Sequence, residues 1–489
     1  MKKGFTLIEL LAVILILGII ALIAIPTVNN ILKESRRGAF NSTLTNLEKA
    51  IEEKCTTEQI KNQEITTMYT IEGGVITPSL DIKGELPDGI IYVNKDCEVS
   101  FTLSDNNFTG TKQFGGTIVI EDGSSEVETR PHYIIKESKV YPPDGIEVGE
   151  NFQSEQYINK ILSITFKNDK NVPENAVETW DMSEAGNNSI IGYVVKDETD
   201  ENYYHAYVGS DGIIDGNPNS AFMFAGYGEL KNIYFNNFNT SNVIDMSGMF
   251  FSSPKIETLD LRNFNTSNVT NMTRMFYYCE SLTSVDVSSF NTSKVEDISS
   301  IFAECINLTS IDLSNFDTSK VTYMQSLFFD CKKLTNINLA GFNTSNVINM
   351  YCMFAGCVKL ETLNLSSFNT SNVTNMTGMF YYCTGLKNLN ISSFVTSNVT
   401  TMDMMFALCY SLTSLDLSDF NVSSVTDMSS MFKNCNALVQ IKTPKNISSS
   451  VNISDITSYS YTGSDSNTYA AGSFPVGKTE SITLTKVES

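Results

Sequence analysis

Cysteine is the residue type whose spacing in this chain most invites a chemical interpretation. Seven cysteines recur with a constant 26-residue period, and such a column could bind a metal or carry redox chemistry. Stacked repeats would place equivalent Cα atoms about 4.8 Å apart, but parallel Cβ atoms at that spacing lie beyond the range of about 3.5–4.5 Å found in disulfides. We therefore predict a buried ladder of free thiols. The seven cysteines are Cys279, Cys305, Cys331, Cys357, Cys383, Cys409 and Cys435.

A second column with the same spacing is polar. Aspartate or asparagine recurs with this 26-residue period, and a small polar residue stands two positions before each one. Because strand residues alternate in direction, both columns would point away from the core. They would form either a ligand-binding surface or a solvated sheet face that needs only small polar residues, and the sequence leaves both interpretations open. The column contains Asp260, Asp286, Asp312, Asn338, Asn364, Asn390 and Asp416.

Signatures of the common enzyme classes are missing from the sequence. It contains no G-x-S-x-G, no H-E-x-x-H, no phosphate-binding loop and no C-x-x-C, and its two histidines are His132 and His205. The net charge of −22 would repel a nucleic-acid backbone. We therefore predict a protein that is not an enzyme, uses no cofactor or metal, and does not bind nucleic acid.

The N-terminal segment determines the compartment in which these residues act. Residues 5–26 are apolar apart from Glu9, and a helix of this length spans about 33 Å, enough for a hydrocarbon core of about 30 Å. Lys2 and Lys3 would stay in the cytoplasm, so the remainder of the chain would be exported. A carboxylate inside the membrane costs roughly 3 kcal/mol. Glu9 is therefore either functional or located at the interface, where it is merely tolerated.

The sequence KKGFTLIELLAVILILGIIALIAIP at residues 2–26 resembles the leader and first helix of type IV prepilins and type II secretion pseudopilins. The resemblance implies that prepilin peptidase cleaves after Gly4 and that Phe5 becomes the N-methylated first residue. It also implies that Glu9 pairs with the terminal amine of a neighbouring pilin subunit during assembly. The chain would then begin as a single-pass protein of the bacterial cytoplasmic membrane, with its N-terminus inside, and end at the cell surface or in a pilus.

A small β domain is predicted after the membrane helix. Residues 27–54 keep a loose helical period, whereas 68–71, 89–93, 98–103 and 117–121 have the pattern of short strands between turns. A long helix followed by a small antiparallel sheet is the layout of a pilin, in agreement with the leader.

Two cysteines, Cys55 and Cys97, precede the repeats. Outside the cytoplasm they would form a disulfide between the end of the helix and the sheet, and in a reducing habitat they would remain two free thiols. We favour the disulfide, which would close a loop worth roughly 4 kcal/mol in the chain-entropy description.

One unit is repeated through much of the second half of the chain. Phenylalanine recurs with the same 26-residue period from Phe238 to Phe420 and again from Phe250 to Phe432, with no insertion. A single unit cannot bury its own apolar side chains, so the repeats are predicted to stack into one continuous core.

Each unit is predicted to contain a short helix followed by a strand. In one unit, Val373, Met376, Met379 and Phe380 have the spacing of a helical stripe, and the alternation that begins at Leu386 is typical of a strand.

The pattern C-x2-L-x2-L-x-L-x2-F-x4-V-x2-M-x2-M-F, found from about Ser220 to Lys442, resembles the BspA-type leucine-rich repeats of bacterial surface proteins. It departs from the general leucine-rich repeat by placing Phe where a buried Asn or Cys ladder usually lies. The resemblance implies a solenoid with a parallel sheet, adhesion at the cell surface, and a host or matrix protein or a glycan as ligand.

Together these elements predict a multidomain α+β protein. The predicted parts are a prepilin leader (1–4), a transmembrane and assembly helix (5–60), a pilin-like β head (61–149), an N-terminal cap (150–237), a leucine-rich-repeat solenoid of 26-residue α/β units (238–442) and a C-terminal cap (443–489).

Three functional hypotheses follow from this organisation. The first is a minor or tip pilin-like subunit whose repeats mediate adhesion. The second is a pseudopilin of a type II secretion or competence machine whose repeats bind a client protein. The third is a membrane-tethered surface protein that carries the leader but never polymerises.

Overall fold

The computed structural model describes residues 36–61, 68–72, 75–80, 86–93, 97–104, 108–112, 117–122, 130–138 and 151–487. The chain divides into two compact units, Met1–Pro131 and His132–Ser489. The predictions for the leader, for the membrane segment and for Gly4, Phe5 and Glu9 fall outside the described residues. Among the residues that are described, no helix has the length and apolar character needed to cross a membrane.

The first unit contains a helix, α1, of which residues 36–60 are described. Its buried side chains recur at intervals of three or four residues, so they form one stripe along the helix. The stripe consists of Phe40, Leu44, Leu47, Ile51 and Cys55 and belongs to the same hydrophobic core as the sheet of this unit.

An antiparallel sheet follows the helix. Its strands are β1 (Met68–Glu72), β2 (Val75–Thr77), β3 (Asp88–Val93), β4 (Val99–Ser104), β5 (Phe108–Lys112) and β6 (Val119–Asp122). They are arranged in the order β2-β1-β3-β4-β5-β6. The four segments predicted as strands correspond to β1, β3, β4 and β6. Strand β2, which has three residues, and strand β5, which contains a glycine, were not predicted from the sequence.

Two contacts attach α1 to this sheet. Cys55 of α1 and Cys97, which precedes β4, form a disulfide. The ammonium group of Lys112 on β5 lies 3.3 Å from a carboxylate oxygen of Glu48 on α1. The end of the helix is therefore tied covalently to the sheet, and its middle is tied by an ion pair.

The second unit begins with two small sheets. Their strands are β7 (His132–Ile134), β8 (Ile161–Lys167), β9 (Ala176–Asp181), β10 (Ile191–Lys196), β11 (Tyr204–Gly209), β12 (Ile213–Asp215), β13 (Asn232–Tyr234) and β14 (Phe238–Asn239). We call the mixed sheet β13-β8-β11-β10-β9 the capping sheet, and the other sheet has the order β14-β12-β7. Strand β7, which the sequence analysis included in the head, pairs with β12 in this unit.

The 26-residue repeats stack on one another through two columns of parallel pairing. We number the positions of a repeat from Phe238 as position 1. Position 8 forms an unbroken series of parallel bridges from Asn219 to Asp427, and Asp427 bridges in turn to Asn452, 25 residues later. Positions 21–23 form short parallel pairs, β15-β16, β17-β18 and β19-β20. These strands are β15 (Ser310–Asp312), β16 (Asn336–Asn338), β17 (Thr362–Leu363), β18 (Asn388–Leu389), β19 (Ser414–Asp416) and β20 (Gln440–Lys442).

The C-terminal residues extend the last of these pairs into a five-stranded sheet. Its additional strands are β21 (Tyr461–Gly463), β22 (Thr468–Tyr469) and β23 (Thr483–Lys486). Strand β23 pairs antiparallel with β20, so the edge of the last repeat is covered.

The interior of the stack consists of columns of identical side chains. The phenylalanines at position 13 are fully buried, and the rings of Phe354 and Phe380 are nearly parallel with their centroids 5.8 Å apart. The stack continues from Phe224 to Phe432. The predicted continuous core is therefore present.

The short helix predicted in each repeat is wrong, because residues 238–442, all of which the structure describes, contain no helix. In the segment predicted to be helical, backbone N–H groups alternate between carbonyl acceptors in the next repeat and carbonyl acceptors in their own repeat. The Gly378 N–H donates to the carbonyl of Asp403 in the next repeat at 2.9 Å, whereas the Met379 N–H donates to Met376 at 3.2 Å. Gly378 also has a φ of 61°, a left-handed conformation that a right-handed helix cannot contain. The apolar side chains face inward at helical spacing even though the backbone forms turns.

A buried threonine at position 3, present from Thr240 to Thr396 and replaced by Val422 in the last repeat, links each repeat to the next. The hydroxyl of Thr344 donates to the backbone carbonyl of Asn369 at 2.9 Å and accepts the backbone N–H of the same residue at 2.8 Å. Thr318 makes the same two bonds to Asn343. The threonine side chain therefore replaces a pair of backbone hydrogen bonds between neighbouring repeats.

Candidate functional site

The predicted Asp/Asn column lies at position 23, along the outer side of the strand pairs. Six of its seven side chains are exposed and Asn338 is half-buried. Each side-chain oxygen accepts the N–H of the residue two positions later, for example Asp312 from Ser314 at 2.9 Å and Asn364 from Ser366 at 3.1 Å. The column therefore stabilises the turns that end the strands, a role that the sequence analysis did not consider.

The aspartates of this column are carboxylates at neutral pH. A side-chain hydrogen bond from Arg262 lowers the pKa of Asp260 to about 2. Hydrogen bonds from Ser288 lower the pKa of Asp286 below its ordinary value. The second oxygen of Asp260 accepts from Arg262 and that of Asp416 from Lys442, whereas Asp286 and Asp312 each use one oxygen for the turn and keep the other to accept a hydrogen bond from a ligand.

The neighbouring column at position 21 has no such internal role. Its side chains are exposed and uncharged. Within residues 151–487, which the structure describes throughout, they make no hydrogen bond to the protein. Each therefore presents a small polar group to solvent with its full hydrogen-bonding capacity. The column contains Thr258, Ser284, Ser310, Asn336, Thr362, Asn388 and Ser414. We call the columns at positions 21 and 23 together the strand face.

The strand face continues into the capping sheet. Strand β13 lies one 26-residue period before positions 21–23 of the first complete repeat, so Asn232 and Tyr234 occupy the places of the two columns. Register pairs Asn232 with Ser163 on β8, and Ser163 with His205 on β11. These outward-facing residues therefore form one row across the sheet.

A second row lies two residues further along the same strands. Tyr234 pairs with Thr165, Thr165 with Tyr207, and Tyr207 with Tyr193. The rings of Tyr193 and Tyr207 stack with their centroids 5.0 Å apart, and Tyr234 is 50% exposed. We call the outward-facing residues Asn232, Ser163, His205, Tyr234, Thr165 and Tyr207 the capping-sheet face.

The row of polar residues contains a chain of hydrogen bonds that sequence reasoning missed. The Ser163 hydroxyl lies 2.7 Å from His205 Nδ1, and His205 Nε2 lies 2.9 Å from a carboxylate oxygen of Asp197. Hydrogen bonds from Thr199 and His205 hold the pKa of Asp197 well below its usual range. The scarcity of histidine was the available signal, but Ser163 and His205 come together only through the pairing of β8 with β11.

This hydrogen-bond chain has the residue types of a Ser-His-Asp triad. However, Ser163 lies in the middle of β8, which pairs with β11 on one side and β13 on the other. The amides beside the hydroxyl are therefore committed to the sheet and are not available to stabilise an oxyanion. The arrangement provides a hydroxyl and an imidazole in fixed positions on an open sheet face.

Four overlapping segments match the family described as "Mycoplasma protein of unknown function, DUF285". The segments are 219–311, 280–363, 304–389 and 360–468, which together span just over half of the chain. The chain belongs to the DUF285 family. No curated protein and no solved structure matches the chain.

The cysteine column of the DUF285 repeats is structural. All seven thiols are free and buried, as predicted. The thiol of Cys357 lies 3.2 Å from the carbonyl oxygen of Phe328, and Ser253, at the same repeat position, donates to Phe224 at 2.8 Å. Burial raises the pKa of Cys305 to about 12. The column therefore consists of neutral hydrogen-bond donors, and in the described part of the chain no cluster of His, Cys, Asp and Glu could hold a metal ion.

The N-terminus of this DUF285 chain matches the prokaryotic N-terminal methylation motif over residues 1–25. The match includes Gly4, Phe5 and Glu9, the residues for which the sequence analysis predicted cleavage, methylation and assembly. The motif indicates a type IV pilin-like or pseudopilin precursor that is anchored in the membrane before it assembles at the surface. It implies a prepilin peptidase and other pilin subunits as partners.

Proposed function

We propose that this chain is a minor or tip subunit of a type IV pilus-like filament, and that its DUF285 repeats form a leucine-rich-repeat solenoid of the BspA type that binds a protein or glycan outside the cell. The methylation motif supports the pilin part of the proposal. The buried leucines of the C-x2-L-x2-L-x-L pattern and the 26-residue stacking support the solenoid. A large second unit would crowd a filament in which every subunit carried it, which favours a minor or tip position.

The binding role rests on the narrow choice of residue types at position 21. The side chain at this position makes no hydrogen bond within the protein, yet in seven successive repeats it is Thr, Ser or Asn. Position 20, immediately before it, includes Glu257, Glu361 and Lys387. The strand therefore tolerates charge at position 20, and the uniform small polar character of position 21 is explained by contact with a ligand.

Two lysines placed at position 21 test this role. We expect Ser284→Lys together with Ser310→Lys to abolish binding of the purified full-length protein to a ligand found among matrix proteins, mucins and glycans. The matched control is Ser319→Lys together with Ser345→Lys, which adds the same charge at position 4, away from the strand face. Equal loss of binding in both variants, or no binding by the wild-type protein to any member of the panel, would refute the binding role.

The methylation motif equally favours a second candidate, a pseudopilin of a type II secretion or competence machine whose repeats bind a client protein. Assembly is tested by Glu9→Ala in cells that express the full chain. Under both candidates this variant should disappear from the filament fraction sheared from the cells and remain in the membrane fraction. If it remains in the sheared fraction at the wild-type level, the chain does not depend on pilin-type assembly.

We propose binding, not catalysis, as the activity of the second unit. The geometry around Ser163 supports this, because the neighbouring amides of β8 take part in the sheet. Labelling of the purified protein with a fluorophosphonate, which reacts with activated serines, tests the point. Stoichiometric labelling at Ser163 that is lost in His205→Ala would contradict the proposal.

A further inference from the structure

The strand face changes character at its N-terminal end. Along the repeats, position 23 carries Asp or Asn, whose side chains are short and hydrated. One 26-residue period before the first complete repeat, the same position carries Tyr234, which is 50% exposed. Strand pairing places Thr165 beside Tyr234 and Tyr207 beside Thr165. The capping-sheet face therefore offers aromatic surface beside a row of hydrogen-bonding groups, a combination that the repeats do not provide.

Of the two tyrosines in the capping-sheet face, Tyr207 is held rigidly. Tyr207 lies against Tyr193 with the two rings only 14° from parallel, and Tyr193 itself is 3% exposed. The ammonium group of Lys167 donates to the Tyr193 hydroxyl at 3.1 Å and lies 5.6 Å from the centre of the ring. Because Tyr207 rests on a buried ring that is fixed by a cation, a ligand that stacks on it has little side-chain entropy to remove.

The polar row of the capping-sheet face is also ordered by hydrogen bonds. Asp197 accepts a hydrogen bond from His205 Nε2, so in the neutral imidazole His205 Nδ1 accepts the hydroxyl hydrogen of Ser163. The lone pairs of Ser163 then face outward as an acceptor at a fixed position. Asn232 stands beside Ser163 in the same row and supplies both a donor and an acceptor.

From these contacts we infer that the capping-sheet face binds a neutral hexopyranose unit of a glycan. One face of a pyranose ring presents C–H groups that pack on a tyrosine ring, while its hydroxyls donate to and accept from groups such as Ser163 and Asn232. This inference rests on the proposed binding function and specifies the ligand class and its position.

The size and charge of the face favour a sugar over the other occupants. Taken alone, the capping-sheet face spans three strands and two rows, about 10 Å by about 7 Å, which is far less than the roughly 800 Å² that each partner buries in a stable protein complex. Asp197 lies beside this surface, where it contacts His205, and the chain carries a net charge of −22. Sulfated and sialylated sugars are therefore repelled, which leaves neutral hexoses.

Calorimetric titration of the full-length protein in a detergent without a sugar head group tests the inference. The probes are neutral hexaoses of glucose, mannose and galactose, with a heparin hexasaccharide as the anionic comparison. We expect at least one neutral hexaose to bind, Tyr234→Ala to weaken its affinity at least tenfold, and Tyr234→Phe to retain affinity within about threefold, since the ring is kept.

Tyr323→Ala is the matched control, because Tyr323 is similarly exposed, at 40%, but lies in the bridge column at position 8. It should change the affinity less than twofold. Tyr234→Ala must keep the wild-type unfolding temperature for its effect to count, and the exposure of Tyr234 makes that the expected result. Binding of heparin alone, or an equal effect of both alanine variants, would overturn the inference.

Failure of the inference is distinguishable from failure of the proposed function. If the lysine pair at Ser284 and Ser310 abolishes binding of a neutral hexaose that Tyr234→Ala does not affect, the strand face binds the sugar and the site on the capping-sheet face is refuted. If neither change affects any ligand, the proposed function falls as well.

Discussion

The threonine ladder at position 3 makes a quantitative prediction about what holds the repeats together. Thr344 lies in the middle of the stack, is fully buried, and makes two hydrogen bonds to the backbone of Asn369. Thr344→Val keeps the shape of the side chain but leaves one N–H and one carbonyl without a partner. A hydrogen bond contributes about 1 kcal/mol and an orphaned buried polar group costs about 1–3 kcal/mol. We therefore expect a loss of about 2–4 kcal/mol.

Urea unfolding followed by circular dichroism measures this loss in the purified protein. Thr344→Ser retains the hydroxyl and should cost about 1 kcal/mol or less, because only a methyl group is removed. Thr322→Val is the second control. Its hydroxyl donates to the Glu296 carbonyl at 3.3 Å on the exposed side of the stack, and the backbone N–H of Thr322 already bonds to the same carbonyl. This change should cost less than about 0.5 kcal/mol.

The relative stabilities of the three variants show whether the hydroxyl of Thr344 holds neighbouring repeats together. If Thr344→Val is as stable as Thr322→Val, water replaces the lost partners and the ladder does not hold the repeats together. If Thr344→Ser is as unstable as Thr344→Val, the methyl group and not the hydroxyl accounts for the effect.

Three further predictions follow from the packing. Phe354→Ala, which removes a ring from the continuous stack, should cost about 3–5 kcal/mol of unfolding free energy, and Phe354→Leu should cost clearly less in the same urea assay. Replacing Cys55 and Cys97 with serine should lower the stability of the first unit by roughly 4 kcal/mol, and a change within error would refute a stabilising role for the disulfide. Burial raises the pKa of Cys383 to about 12, compared with about 8.5 in the unfolded chain. The buried neutral thiol therefore contributes its full stability below about pH 8.5, and this contribution is lost as the pH rises towards the pKa of the folded protein. The unfolding temperature should fall above about pH 9, and this fall should be smaller in a variant with serine at Cys383.

The repeat register and its core could be predicted from the sequence because stacking requires the same side chain at the same place in every unit. Columns of Phe, Met and Cys can face only the core, and the structure buries them. The same regularity misled the assignment of the helix. Apolar residues at intervals of three or four fit a helix, but they also fit a turn whose amides alternate between its own carbonyls and those of the next repeat.

The capping sheet could not be derived from the sequence in the same way. Its strands were visible as apolar segments, but their order depends on long-range pairing that no local pattern encodes. Ser163 and His205 are far apart in the chain and meet because β8 and β11 run parallel as neighbours. The candidate sugar site therefore became visible only when the register of the strands was known.

The hydrogen-bond ladders also limit where this protein can vary. Positions 3, 8 and 16 each bond to an adjacent repeat, so a residue inserted between two of these positions would have to loop out for both to keep their partners. This explains why no repeat from Phe238 to Phe432 departs from the 26-residue period. New binding properties can then arise only through side chains that the ladders do not use, on the strand face and on the capping sheet. Substitutions at Ser310 or Tyr234 should therefore change binding with little effect on stability, whereas substitutions in the ladders should do the reverse.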